Sequence, residues 1–120
     1  MAKILLAEDD DSMRHFLRRA LERAGHDVFA VGQGTEAIPV LAEGRFDLLL
    51  ADIVMPEMDG IELARRAVSV DPRIRIMFIT GFAAVALRNR QTSRADAKVL
   101  SKPFHLRELV EEIDRTLAVV

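Results

Sequence analysis

The chain contains no cysteine, which excludes both a disulfide framework and a thiolate metal site. It has no basic excess either: 17 Lys and Arg stand against 19 Asp and Glu, a formal charge of −2. That balance argues against a dedicated nucleic-acid surface. No apolar run approaches transmembrane length. The N-terminus lacks the basic region and long apolar stretch of a signal peptide. The expectation is a cytoplasmic protein with no membrane association. No internal repeat, low-complexity segment or linker interrupts the 120 residues, so a single domain over 1–120 with no output domain is expected. Half of the residues are apolar, enough for a proper core.

Against that background, three acidic positions stand out. Ile4-Leu5-Leu6-Ala7 leads straight into Glu8-Asp9-Asp10-Asp11, and Phe46 to Ala51 leads straight into Asp52. If the two runs are adjacent parallel strands, Glu8, Asp9 and Asp52 share one cleft. Clustered carboxylates repel and are costly without a cation. A hard divalent ion such as Mg²⁺ suits them, because it takes oxygen ligands and keeps several waters. Thr80 follows Ile76 to Ile79, and Lys102 follows Val99-Leu100-Ser101, adding a hydroxyl and an ammonium at two further strand ends. Carboxylates, a metal, a hydroxyl and a lysine make a site for a phosphoryl group.

Strands are expected at Lys3 to Ala7, Asp27 to Val31, Asp47 to Ala51, Arg75 to Ile79 and Ala97 to Ser101. The first, third and fourth are nearly continuous apolar runs, as for strands buried on both faces of a parallel sheet. Met13, Phe16, Leu17, Ala20, Leu21 and Ala24 fit a helical period, with Gly25 as its stop. Ile61, Ala64, Ala67 and Val68 fit another helix, ended by Asp71-Pro72. Leu106, Leu109, Val110, Ile113 and Leu117 mark an amphipathic last helix. Thr35 to Glu43 reads as a shorter helix despite Pro39, and the Ala-rich stretch Ala83 to Arg90 as a further one. Strand and helix thus alternate five times. Right-handed crossovers give a doubly wound α/β sheet. The order 2-1-3-4-5 places strands 1 and 3 side by side at the switch point where such sheets bind ligands.

These residues resemble the receiver domains of bacterial two-component response regulators, which are CheY-like, over essentially the whole chain. The acidic pair is Glu8-Asp9, and the phosphoacceptor motif is Asp52-Ile53-Val54-Met55-Pro56-Glu57-Met58-Asp59-Gly60. The hydroxyl position is Thr80-Gly81, and the lysine motif is Ser101-Lys102-Pro103-Phe104. Each alone is weak, but all four in order at strand ends are specific. Within the family, Thr80 to Leu87 and Val99 to Leu106 look like the CpdR type, stand-alone alphaproteobacterial receivers that act on regulated proteolysis.

The resemblance implies roles. Asp52 is the nucleophile that becomes an aspartyl phosphate; the plainer alternative is a helix N-cap. Asp9 ligates Mg²⁺ directly, Glu8 through water, and Val54 through its backbone carbonyl; the alternative for the acidic pair is a solvated turn, which is the reading for Asp10 and Asp11. Asp11 or Ser12 also suits a cap of the first helix. Thr80 donates its hydroxyl to a phosphoryl oxygen, although a β-branched residue is common in a strand anyway. Lys102 pairs with Asp52 and later with the phosphoryl group, aimed inward by a cis bond to Pro103. Gly60 reads as a turn residue needing positive φ. His15, His26 and His105 lack metal-ligand spacing and read as exposed or helix-end residues. Phe78 and Phe104 are expected in the core.

Two departures matter. Val99 stands where many receivers carry Tyr or Phe, so signalling is expected to rely on Thr80 and the segment after it. Val54 and Phe82 stand where fast-cycling members orient the hydrolytic water, and both are apolar. The leading function is a phosphorylation-controlled binding module, monomeric or weakly dimeric. Its donor is a histidine kinase or histidine phosphotransferase, and the face of the fourth strand, fifth strand and last helix gains or loses a partner. For the CpdR type that partner is a AAA+ unfoldase such as ClpX in cell-cycle proteolysis. The alternative is a phosphorelay intermediate or phosphate sink. A phosphatase of the haloacid dehalogenase kind needs an acid two residues after its nucleophile, where this chain has Val54.

Overall fold

The computed structural model describes residues 2–80, 98–101 and 105–118. Its strands are β1 (Lys3–Ala7), β2 (Asp27–Val31), β3 (Leu48–Asp52), β4 (Arg75–Thr80) and β5 (Lys98–Ser101). The described helices are α1 (Asp11–Arg23), α2 (Gly34–Glu43), α3 (Gly60–Val70) and α4 (Leu106–Ala118). The helix expected at Ala83 to Arg90 lies outside the described residues. All neighbouring strands pair parallel, in the order β2-β1-β3-β4-β5. That is the doubly wound sheet anticipated from the strand–helix alternation.

Apolar residues occupy both faces of the central strands because a helix layer covers each face. Ile4 to Ala7 and Leu48 to Ala51 are fully buried. Leu5, Ala7, Leu49, Ala51 and Phe78 join Ala37, Leu41, Leu63 and Ala67 in a core beneath α2 and α3. Ile4, Leu6, Leu48, Leu50 and Met77 join Leu17, Leu21, Leu109 and Ile113 in a second core beneath α1 and α4. Each fully buried Leu or Ile contributes roughly 1.5–3 kcal/mol of burial free energy.

Local chemistry sets the helix ends. The Asp10 carboxylate accepts the Met13 N–H at 2.9 Å, so Asp10 caps α1, not Asp11 or Ser12. Gly25 follows the C-cap Ala24 with φ +97°, a conformation open to glycine. Phe16 does not join the core: it lies at the edge of the α1 stripe and is 53% exposed, while Leu17, Ala20 and Leu21 are buried. Helix α2 runs through Pro39, whose ring lies on the exposed side. His26 is not an exposed histidine. Its side chain is 7% exposed, Nδ1 accepts the Ala2 N–H at 3.2 Å, and Nε2 lies 3.5 Å from Asp114 Oδ1.

Register positions the functional cleft. Ala7 pairs with Ala51, so the next residues, Glu8 and Asp52, leave the sheet side by side. Asp52 pairs with Ile79, which sets Thr80 one residue farther along the adjacent strand. Thr80 in turn pairs with Ser101, the residue before Lys102.

Candidate functional site

The run Glu8-Asp9-Asp10-Asp11 divides as it leaves β1. The Glu8 N–H donates to the Val31 carbonyl at 3.1 Å, which continues the β1–β2 ladder. Its carboxylate turns inward, is fully buried, and accepts the Asp10 N–H at 3.1 Å. Asp9 is exposed at the mouth. Asp10 is spent on the α1 cap. Asp11 pairs with Arg14 Nη2 at 2.6 Å. Glu8 and Asp9 are thereby left to face Asp52.

Asp52 is 6% exposed at the carboxyl end of β3. One carboxylate oxygen from each of Glu8, Asp9 and Asp52 lies within 4.8 Å of the other two. Among the described residues no other group of acids, histidines or cysteines converges in this way. Three negative charges this close, two of them buried, repel strongly, and a cation relieves the repulsion. The donors are hard oxygens, and the exposed side at Asp9 leaves room for water, which is the ligand set a small divalent cation takes. The residues present therefore fit a metal ion.

The loop after Asp52 adds two features. The Val54 N–H donates to Asp52 Oδ1 at 3.1 Å and fixes one carboxylate oxygen. This backbone donor was not anticipated, since any residue type supplies it and the sequence carries no sign of it. The Val54 side chain is 44% exposed. Gly60 does not need positive φ; the one glycine in that region among the described residues is Gly25. Gly60 is instead required by contact, because a Cβ there would fall on the Asp52 carbonyl oxygen and lie 3.0 Å from Ile53 Cα. The positive φ in this loop belongs to Glu57, at 68°, backbone strain of about 1–3 kcal/mol beside the cleft.

Thr80 is fully buried at the end of β4. Glu8, Asp9, Asp52 and Thr80 thus gather at the carboxyl ends of β1, β3 and β4, and Val54 lies on the loop leaving β3. Lys102, Pro103, Phe104 and Phe82 lie outside the described residues. The arrangement offers a buried carboxylate, a group of carboxylates that could hold a cation and a hydroxyl one strand away, the kinds of group that phosphoryl transfer uses for attack and charge stabilisation.

Comparison with known proteins agrees with this geometry. The family model for the response regulator receiver domain matches residues 4–114. The response regulator receiver protein CpdR of Brucella abortus (strain 2308) is 62% identical over 117 residues, covering 98% of each chain. A receiver protein from Sinorhizobium medicae WSM419 superposes with a TM-score of 0.88 at 32% identity, over 98% of this chain and 94% of that one. The receiver domain of sensor histidine kinase PA1611 from Pseudomonas aeruginosa PAO1 superposes with a TM-score of 0.86 at 27% identity over 97% of each chain, and its structure has a magnesium ion coordinated in the active site cleft. Among the described residues, no helix is long and apolar enough to cross a membrane.

Proposed function

The chain belongs to the response regulator receiver family, and from that premise we propose that it is a stand-alone cytoplasmic switch, phosphorylated on Asp52, that controls a protein partner. The observation that carries this reading is the convergence of Glu8, Asp9 and Asp52 within 4.8 Å at the switch point of the sheet. Asp52 attacks the phosphorus of a phosphohistidine on a histidine kinase or histidine phosphotransferase. The new bond is O–P, the P–N bond breaks, and the imidazole nitrogen keeps the electron pair. The Val54 N–H holds one oxygen of Asp52 and so orients the carboxylate for attack. The buried Thr80 hydroxyl donates to a phosphoryl oxygen, and Lys102 pairs with the new anion.

Asp9, Asp52, Glu8 and the Val54 carbonyl are the residues that would hold Mg²⁺. When bound, Mg²⁺ supplies positive charge against the carboxylates and the phosphoryl oxygens. Asp9→Ala removes both a ligand and a charge. It is expected to weaken Mg²⁺ binding at least about tenfold, roughly 1.4 kcal/mol, and to slow phosphorylation. An unchanged calorimetric Mg²⁺ titration would remove Asp9 from the site.

The output follows from the elements that bear Thr80 and Lys102. Drawing them toward the phosphoryl group alters the face of β4, β5 and α4. The 62% identity to Brucella CpdR supports a receiver of that type, acting on a ClpX-type AAA+ unfoldase in cell-cycle proteolysis, with the unphosphorylated form active. Neither nucleic acid nor membrane is a partner in this reading, and the protein acts as a monomer or weak dimer. The test is capture of purified ClpX by wild type and by Asp52→Ala, each with and without a phosphodonor. Both should bind without donor, and donor should release wild type alone. Capture that is absent, or indifferent to the donor, would rule out this output and leave the relay or phosphate-sink role.

The phosphorylated state should be long-lived. Hydrolysis needs a water held in line behind phosphorus, and the exposed Val54 side chain offers it no hydrogen bond. The variant carrying Val54→Asn and Phe82→Glu supplies polar groups at both positions. It should lose phosphate about fivefold faster, the rate equivalent of one hydrogen bond of about 1 kcal/mol. Decay of phosphoprotein after donor removal measures this, and equal or slower decay in the variant would show that these side chains do not set the lifetime.

A further inference from the structure

Four consecutive acids leave β1, yet only Glu8 and Asp9 reach the cleft. Asp10 is held by the cap of α1, and the residue that holds both Asp11 and the backbone of the inward pair is Arg14. Its guanidinium makes two bonds with different consequences: Nη1 donates to the backbone carbonyl of Glu8 at 2.9 Å, and Nη2 donates to Asp11 Oδ1 at 2.6 Å. The carbonyl of Glu8 belongs to the peptide that joins Glu8 to Asp9. Fixing it fixes the plane from which one carboxylate turns in and the next turns toward the mouth. The second bond draws Asp11 away from the cluster. An exposed pair of Arg14 and Asp11 alone would be worth little. Here the arginine is only 25% exposed, and it is also held from behind. A Cβ on Gly32 would lie 3.1 Å from Nη1, and the Gly32 N–H donates to Glu36 Oε1 at 2.9 Å. The guanidinium therefore sits in a fitted space between the loop after β1 and the loop after β2.

We infer that Arg14 is the positioning residue for the acidic pair, acting on metal affinity through the Glu8 carbonyl without touching the metal. This rests on the reading of Glu8, Asp9 and Asp52 as the Mg²⁺ site. Two substitutions separate position from charge. Arg14→Lys keeps the charge but loses the planar fork that bridges two acceptors. The double substitution Asp11→Asn with Arg14→Gln removes the bridge while leaving the summed charge of the pair unchanged. Groups that orient metal ligands typically change affinity by about 10–100-fold when removed. Both variants should therefore bind Mg²⁺ about tenfold more weakly by calorimetry, at the lower end of that range. Phosphorylation by acetyl phosphate should need correspondingly more Mg²⁺ but approach the wild-type rate at saturation. The melting temperature in EDTA reports folding separately. Should either variant fail to fold, Gly32→Ala presses on Nη1 with no change of charge and should shift Mg²⁺ affinity in the same direction. Wild-type affinity in Arg14→Lys would show that charge alone acts and would overturn the positioning role, as would wild-type affinity in the neutral pair. Absence of Mg²⁺ binding by the wild-type protein would instead overturn the metal reading itself.

Discussion

Asp52→Asn is expected to lose labelling by acetyl phosphate by at least about a thousandfold, the scale on which removal of a nucleophile acts. The substitution is chosen for what it keeps. Asn retains a carbonyl oxygen to accept the Val54 N–H that Asp52 Oδ1 now accepts at 3.1 Å. The fold around the residue is therefore preserved while the attacking charge is gone. Asp52→Ala should abolish labelling as completely but leaves the Val54 N–H without that acceptor, a cost of about 1 kcal/mol. Against that cost stands relief of the repulsion among Glu8, Asp9 and Asp52, whose oxygens lie within 4.8 Å. The two terms oppose, so Asp52→Ala should remain folded, with a circular dichroism spectrum like that of wild type. Phosphate incorporation by Asp52→Asn at the wild-type level would place the acceptor elsewhere.

Much of this was legible in the chain because burial writes itself into composition. Strands β1, β3 and β4 are covered on both faces and read as unbroken apolar runs. Each leads to a polar residue that the sheet then brings to the cleft: Glu8 just after β1, and Asp52 and Thr80 at the ends of β3 and β4. Parallel pairing of such runs makes that convergence an expectation from the sequence alone. What was not legible depends on backbone groups and on distance through space. The sequence reading places the cap at Asp11 or Ser12 and leaves Asp10 in a solvated turn, whereas Asp10 is the cap; three adjacent residues have the right chemistry and only the chain direction selects one. The Val54 N–H is invisible because its side chain has no part in the bond. Arg14 had one local sign, a basic residue three positions after Asp11 on a helix, but its bond to the Glu8 carbonyl has none. His26 gave no sign of burial, since its partners are a backbone N–H near the start of the chain and an acid on the last helix. Gly60 reads as a turn glycine because turns are the commonest reason for glycine after a motif of this kind; the reason in the structure is a neighbour eight residues back, Asp52.

That neighbour sets the expected effect of Gly60→Ala. Gly60 is the first residue of α3, after the cap Asp59, whose carboxylate accepts the Glu62 N–H at 2.8 Å. On helix propensity alone, alanine should stabilise this position by up to about 1 kcal/mol. The tertiary contact opposes it. A Cβ at residue 60 would overlap the Asp52 carbonyl oxygen and lie 3.0 Å from both the Asp52 carbonyl carbon and Ile53 Cα. These are backbone atoms, so no rotamer change relieves the contact. Nor is the backbone free to move. The Gly60 N–H donates to the Ile53 carbonyl at 2.9 Å, and the Ile53 N–H donates to the Ile79 carbonyl at 3.0 Å. The strain must therefore separate α3 from the end of β3 or push the end of β3 toward β4. Overpacking against fixed atoms costs about 1–3 kcal/mol and occasionally more, which exceeds the propensity gain. We expect Gly60→Ala to be destabilised by roughly 2 kcal/mol, the upper part of that cost less the propensity gain, on the order of 7 °C in melting temperature. The displaced atoms carry Asp52, the proposed nucleophile, so phosphorylation of the folded fraction should fall as well, on the order of a hundredfold for a shift of about 1 Å at the reacting group. Serine should behave like alanine, since it adds the same Cβ. Urea denaturation together with acetyl phosphate labelling tests both effects, and a variant as stable as wild type with an unchanged labelling rate would show that the contact between Gly60 and Asp52 does not hold the nucleophile in place.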